Sequence, residues 1–281
     1  MLKREIAGAV AIPIVLAILF LAPPLAFNLL VAVVALGALW EFYRLAEKTG
    51  HPVAKTVGMA VGSLVLGAAA LLWGPIHFET ASGSVDIIGR SSPAWWYGAA
   101  LSAALLTSMA SLASRVAPAA ALSGAASTLF GVLAVALPST AMCFLRAVSP
   151  RAVLFLLLLV WVCDSSAYYA GSRFGRHKLA PLVSPKKSWE GTIAGLIGAT
   201  VFGAAAGTWW FLPQLGPLRG ALAGALASSA GQVGDLVESL WKRGAGVKDS
   251  GMFLPGHGGY YDRIDSLLFA GPVMAAFVAN L

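Results

Sequence analysis

Residues 6–40 read IAGAVAIPIVLAILFLAPPLAFNLLVAVVALGALW, and no charged side chain interrupts them. A helix needs about 20 apolar residues to cross a bilayer core, so this stretch can cross, turn and cross again. The turn falls at Pro23-Pro24, where a missing N–H and a fixed φ end helix propagation. The first run, Ile6 to Leu21, follows MLKRE as the apolar core of a secretory leader would. A leader needs a small-residue cleavage site soon after that core, and here the chain re-enters the membrane instead. The expectation is a retained first helix.

The rest of the chain repeats the pattern. Of 281 residues, 58% are hydrophobic and 11% charged, with mean hydropathy +0.80; a soluble domain carries roughly 25% charged residues. The sequence therefore reads as an all-α polytopic integral membrane protein. About nine transmembrane helices are expected, near 6–22, 25–44, 54–73, 94–114, 119–145, 152–171, 191–212, 218–241 and 265–281. Polar intervals of about 20 residues leave no room for a separate soluble domain. Cys143 and Cys163 lie in apolar runs and read as small buried hydrophobes, not as a disulfide or thiolate metal site. Gly191/Gly195, Gly203/Gly207 and Gly220/Gly224 have small-xxx-small spacing, which lets helix backbones pack closely in lipid. The partner helices lie in this chain or in a second copy.

Basic residues set the orientation. With the N-terminus cytoplasmic, fifteen of the nineteen Lys and Arg fall in cytoplasmic segments, leaving Arg90, Arg146, Arg151 and Arg219 outside. That is the bias of cytoplasmic loops. The expected topology has its N-terminus inside, its C-terminus outside, and both charge-dense loops, 172–190 and 242–264, on the cytoplasmic face. Residues 1–150 supply about five N-terminal helices; residues 151–281 form the region expected to carry the chemistry. The net charge of +7 would draw anionic lipid or polyphosphate to that face.

Seven of the twelve carboxylates lie between 164 and 265: Asp164, Glu190, Asp235, Glu238, Asp249, Asp262 and Asp265. An ionisable group at membrane depth costs at least ~2.5 kcal/mol, so it needs a partner, water or a cation. In GQVGDLVESLWKR, Asp235, Glu238, Ser239 and Lys242 share one helix face. A hard cation such as Mg²⁺ takes a few carboxylates and completes its shell with water and substrate phosphates. Asp235 and Asp262 are the pair expected to hold it, and Asp265 either joins that site or caps the ninth helix. In KDSGMFLPGHGGYYDR, Gly251, Gly256, Gly258 and Gly259 with Pro255 make a tight loop whose backbone N–H groups can approach phosphate. Lys242, Arg243, Lys248 and Arg263 flank it, and His257 sits between its glycines as a donor or acid. Asp249 orients Lys248 or holds a second cation. The other loop, LVSPKKSWEGTIAG, places Lys186 and Lys187 before a helix start, with Ser188 as its cap, where anions are favoured. Its plainer reading is an interfacial anchor, with Trp189 in the aromatic belt. Asp164 lies in the sixth helix beside Ser165, Ser166 and Tyr168, extending the polar wall.

At these residues the chain resembles the phosphatidate cytidylyltransferases, the CDP-diacylglycerol synthases. Their C-terminal motif is matched by Ser239, Lys242-Arg243, Lys248-Asp249, Pro255, His257-Gly258-Gly259, Asp262-Arg263 and Asp265. CDSSAYYAG, SPKKSWEG and GDLVES look like the family's upstream blocks in order, and the likeness covers roughly residues 150–281. Trp241 and Tyr260 stand where aliphatic residues are usual, and Ser188 where threonine is commoner. The resemblance implies transfer of the cytidylyl group of CTP to phosphatidic acid, giving CDP-diacylglycerol and pyrophosphate, with Mg²⁺ on Asp235 and Asp262 and room for a second cation such as K⁺. It further implies catalytic roles for Lys242, Arg243, Lys248, Asp249, His257 and Arg263. Substrate binding would fall to Asp164, Ser184, Lys186, Lys187, Glu190, Ser239, Gly258, Gly259 and Asp265. A homodimer in the inner membrane, acting at the cytoplasmic face without nucleic acid, completes that expectation. An ion-coupled transporter would explain the buried acids but not the basic glycine loop; a CTP-dependent lipid kinase would release CDP instead.

Overall fold

The computed structural model describes residues 2–73, 76–80, 83–87, 93–113, 118–206, 211–252 and 258–279. Helices dominate them: α1 (Leu2–Leu21), α2 (Pro24–Lys48), α3 (Lys55–Leu72), α4 (Pro93–Ala113), α5 (Pro118–Gly131), α6 (Leu137–Val148), α7 (Pro150–Phe174), α8 (Trp189–Ala206), α9 (Gly216–Gly244) and α10 (Tyr261–Ala279). A π-helical turn, Val132–Ala136, separates α5 from α6. Pro138 lies two residues beyond it; its ring would crowd the carbonyl four residues back and it has no N–H to donate, so the ladder widens there, with the Leu137 N–H donating to the Val132 carbonyl. Taking α5 and α6 as one interrupted rod, each described helix overlaps one of the apolar runs read from the sequence.

Four segments among the described residues are long and apolar enough to cross a membrane: Pro24–Lys48, Lys55–Leu72, Ala119–Val148 and Pro150–Phe174. Leu21, Leu122 and Leu218 are 84%, 83% and 74% exposed, a waste of apolar surface in water but the normal contact with lipid. The chain is an all-α membrane protein in its main architecture. Two antiparallel hairpins correct that description locally: β1 (Ile76–Thr80) with β2 (Gly83–Ile87), and β3 (Lys178–Ala180) with β4 (Ser184–Ser188). The second was hidden because Ser-Pro-Lys-Lys-Ser lacks the β-branched and aromatic residues that mark strands.

The structure forms two compact units, Met1–Ala147 with Asp249–Arg263, and Val148–Lys248 with Ile264–Leu281. In the first, Tyr43 of α2 is fully buried and its hydroxyl donates to the Thr128 carbonyl at 2.8 Å. Gly58 of α3 and Gly131 of α5 make room for that ring; a Cβ at either would collide with it.

In the second unit, glycines set the spacing of α7, α8 and α9. Gly191 and Gly195 lie against α7 backbone at Ala167 and Cys163, while Gly203 faces Gly220 and Gly224 faces Ala199. The small-residue pairs thus serve helices of one chain, although Gly207 lies outside the described residues. Helix starts follow local chemistry: Pro24 and Pro150 occupy first-turn positions, where the missing N–H is not needed, and Ser149 accepts from the Arg151 N–H at 3.1 Å.

Candidate active site

The second unit gathers most of the expected residues. Ser188 caps α8 as expected, accepting from the Gly191 N–H at 3.2 Å, and β4 carries Ser184, Lys186 and Lys187 up to that helix start. Glu190, in the first turn, anchors the hairpin from the other side. It accepts from the His177 N–H at 3.2 and 3.3 Å, and His177 Nδ1 lies 2.7 Å from its Oε1. A carboxylate can only accept, so Nδ1 carries the proton. The backbone N–H of Glu190 itself, then the His177 ring and the backbone N–H groups of His177 and Arg176, pull the Glu190 carboxyl down to about 2 against the opposing effect of desolvation. Glu190 is therefore a brace for the lysine hairpin in this structure.

Lys187 Nζ reaches Asp235 Oδ2 of α9 at 2.6 Å. Around this pair lies a cavity of about 610 Å³, bounded also by Asp164 and Tyr168 of α7, Lys186 and Gln232. Gln232 is fixed by donating to the Thr192 carbonyl at 3.3 Å. The polar face read along α9 is real: Ser239 Oγ lies 3.4 Å from Asp235 Oδ1, and Lys242 Nζ lies 2.5 Å from Glu238 Oε2. Glu238, almost fully buried, was noted in the sequence but not assigned to the site.

Asp235, Glu238 and Asp265 each present a carboxylate oxygen within 4.8 Å of the others. Asp265 lies in the second turn of α10, which starts at Tyr261, so it joins the acids and does not cap the helix. Gly234 allows the approach, since a Cβ there would sit 2.7 Å from the Asp265 carbonyl and from the Phe269 ring. Three hard oxygen donors suit a cation such as Mg²⁺, and the lysines on Asp235 and Glu238 supply positive charge to the acids. The residues present fit the ion. Arg243 turns to backbone, donating to the carbonyls of Val183 at 3.3 Å and Val247 at 3.5 Å, and so ties α9 to the lysine hairpin. Lys248 is exposed.

Asp262 belongs to the first unit. Its Oδ2 accepts from the Ser250 N–H at 3.0 Å and the Gly259 N–H at 2.7 Å, and lies 2.9 Å from the Ser250 hydroxyl oxygen. Gly258 has φ +78°, a conformation open to glycine, and a Cβ there would collide with the Asp262 carboxylate. Asp249 and Arg263 are exposed. Pro255, Gly256 and His257 lie outside the described residues, as do Arg90 and Arg115 of the orientation count.

Glu41 was missed altogether. This acid of α2 is 6% exposed, accepts from the Ser250 hydroxyl at 2.7 Å, and takes the N–H groups of Tyr260 at 3.1 Å and Tyr261 at 2.9 Å. The signal was present in LGALWEFYRL: one carboxylate inside a span-length apolar run is a functional candidate by default.

Known proteins resemble this chain. Phosphatidate cytidylyltransferase of Haemophilus influenzae is 47% identical over 128 residues, covering 44% of this chain and 44% of that protein. The Pseudomonas aeruginosa enzyme of the same name is 44% identical over 126 residues, covering 45% and 46%. That of Staphylococcus saprophyticus is 42% identical over 132 residues, covering 43% and 46%. The matched part thus spans less than half the length of each of these relatives. The model of the cytidylyltransferase family, in contrast, matches residues 2–281. Matched along nearly its whole length, this chain belongs to the cytidylyltransferase family.

Proposed function

We propose that the protein transfers the cytidylyl group of CTP to phosphatidic acid. The phosphatidate oxygen bonds to the α-phosphorus of CTP, the bond from that phosphorus to the bridging oxygen breaks, and pyrophosphate leaves. The observation that carries this reading is the cavity where Lys186 and Lys187 meet Asp164 and Asp235, in a chain of this family.

The chemistry asks little of a base, because the lipid phosphate is already an anion at neutral pH. It asks for charge neutralisation and in-line placement. Lys187, held on Asp235 at 2.6 Å, can turn to a phosphate oxygen when substrate enters. Lys186, exposed on the same strand, offers a second positive charge. Lys242 is positioned by Glu238 on the next turn of α9, and with Lys248 and Arg263 it would offset triphosphate charge. Asp235, with Glu238 and Asp265, would supply oxygen donors for Mg²⁺; the family resemblance also gives Asp262 a metal-binding role. A bound divalent cation neutralises charge on phosphate oxygens.

The basic bias favours an N-terminus and both charged loops on the cytoplasmic side, where CTP would arrive. The lipid's acyl chains stay in the bilayer, so the acids and lysines belong at the boundary between the two. The reading takes the enzyme as a homodimer of the inner membrane.

The test is purified protein in phospholipid micelles with CTP, phosphatidic acid and Mg²⁺, scored for pyrophosphate and CDP-diacylglycerol. Release of CDP with a phosphorylated lipid would mark a lipid kinase, and absence of any nucleotide product would return the transporter reading.

A further inference from the structure

We propose that Glu41 is a positioning residue for the transfer reaction: from α2 it fixes Ser250, Tyr260 and Tyr261, the residues that adjoin Asp262. The proposal rests on the functional reading above and gives the N-terminal helices a part in it.

A carboxylate inside an apolar span of α2 is expensive unless something meets its charge. Everything described as meeting it comes from more than 200 residues further along the chain. Tyr260 and Tyr261 donate backbone N–H groups to its two oxygens, at 3.1 and 2.9 Å, and Ser250 donates its hydroxyl at 2.7 Å. Gly251 and Gly259 lie so close that a Cβ on either would collide with the Glu41 carboxylate. The glycines of this motif are thus required by an N-terminal acid as well as by any phosphate they approach.

Ser250 links the two carboxylates. Its hydroxyl lies 2.7 Å from Glu41 Oε2 and 2.9 Å from Asp262 Oδ2, and a hydroxyl has one proton to give. Its N–H, and that of Gly259, also donate to Asp262. Glu41 therefore acts on Asp262 through the one group both acids share, the Ser250 hydroxyl. A glutamine at 41 would keep the shape but turn an NH₂ toward groups that are themselves donors, so at least one of the three hydrogen bonds must be lost. Burial alone needs no such convergence: a purely structural acid at this depth could be met by one lysine.

The experiment compares wild type, Glu41→Gln and Ser250→Ala, each purified and monodisperse. It measures hydrogen exchange at the amides of residues 259–261, together with kcat, KM for phosphatidic acid and the Mg²⁺ concentration giving half-maximal rate. We expect Glu41→Gln to melt within a few degrees of wild type and to speed exchange at Tyr260 and Tyr261 by about tenfold or more. We expect kcat to fall by about tenfold or more, the Mg²⁺ requirement to rise, and KM for the lipid to stay within about twofold of wild type. Ser250→Ala should move kcat and Mg²⁺ dependence the same way, and the double variant should lose less than the product of the two single losses. Unchanged exchange, or faster exchange with unchanged kcat and Mg²⁺ dependence, overturns the proposal. So does a loss of activity that only tracks loss of folded protein. If wild type makes no CDP-diacylglycerol, the functional reading fails and with it the catalytic part of the proposal, whereas exchange at Tyr260 and Tyr261 still decides whether Glu41 holds those residues.

Discussion

Replacing Lys187 by alanine separates a substrate-binding lysine from a lysine that merely satisfies an acid. Its ammonium lies 2.6 Å from Asp235 Oδ2, with the two side chains 26% and 34% exposed. Solvent therefore screens part of the attraction, and as an ion pair it should add no more than about 1 kcal/mol to stability. A hydrogen bond from that ammonium to a substrate phosphate belongs to the charge-assisted class, worth ~1.5–3 kcal/mol. At ~1.36 kcal/mol per factor of ten, its loss should lower kcat/KM about 10- to 160-fold. Lys187→Ala should thus cost far more in catalysis than in melting temperature. Lys187→Arg should recover part of the loss, since it keeps the charge but changes the donor geometry. Lys186→Ala, which removes an exposed lysine, should cost less. The assay is pyrophosphate release with each substrate varied in turn, beside thermal unfolding in the same detergent. A Lys187→Ala protein with kcat/KM within about twofold of wild type for both substrates, and only a lower melting temperature, would refute the reasoning and leave Lys187 as a counter-ion.

Asp235→Asn keeps the shape of α9 but removes a charge shared by Lys187 and the acid trio; turnover should fall by at least about 1,000-fold, checked by product formation from protein that still inserts and elutes as a single species. Gly203→Ala drives a Cβ into the Gly220 backbone and should cost about 1–3 kcal/mol, whereas Gly67→Ala in α3 meets nothing within 4 Å and should be neutral or mildly stabilising; melting temperatures of the two variants check the contrast. Glu190 titrates near 2 in the folded chain against an ordinary value of 4.5. Its ionised form is thus favoured by folding, so the bracing of the lysine hairpin is complete above pH 4.5 and is lost as pH falls through about 2. Hydrogen exchange at the His177 amide, corrected for intrinsic rate, should show protection retained at about pH 4 and lost near pH 2, and Glu190→Gln should abolish that dependence.

The helices were legible because lipid demands long apolar runs, and Pro23-Pro24 or Ser149-Pro150 punctuate them with residues whose backbone chemistry is unambiguous. The polar face Asp235–Glu238–Ser239–Lys242 was legible for a similar reason, since helical spacing fixes which side chains share a face. Periodicity does not report tertiary partners. Lys187 could be placed before a helix, but its contact with Asp235 depends on how β4 meets α9. Glu41 is harder to read because it stands among apolar residues, far along the chain from the charged motif whose backbone meets it. The β3–β4 hairpin was invisible because its pairing is held by Glu190 and the Ser188 cap, and its strand residues have little preference of their own.

Two kinds of acid follow from these contacts, and they differ in what they can do. Asp235 and Glu238 are met by lysines, mobile cations on long stems that can swing to a phosphate when one arrives and leave the carboxylate to a metal ion. Glu41 and Asp262 are met by backbone N–H groups and a serine hydroxyl, donors fixed in the chain path that cannot leave without moving the backbone. The first arrangement suits groups that exchange partners during turnover, because one favourable contact replaces another at little net cost. The second suits groups whose orientation must persist through every turnover, because each donor lost leaves a charge unpaired at membrane depth. Conservative changes should therefore act differently at the two places. Amide for carboxylate at Asp235 removes the charge that draws the cation, while at Glu41 it damages geometry, and loop exchange together with Mg²⁺ dependence tells these apart where rate alone does not.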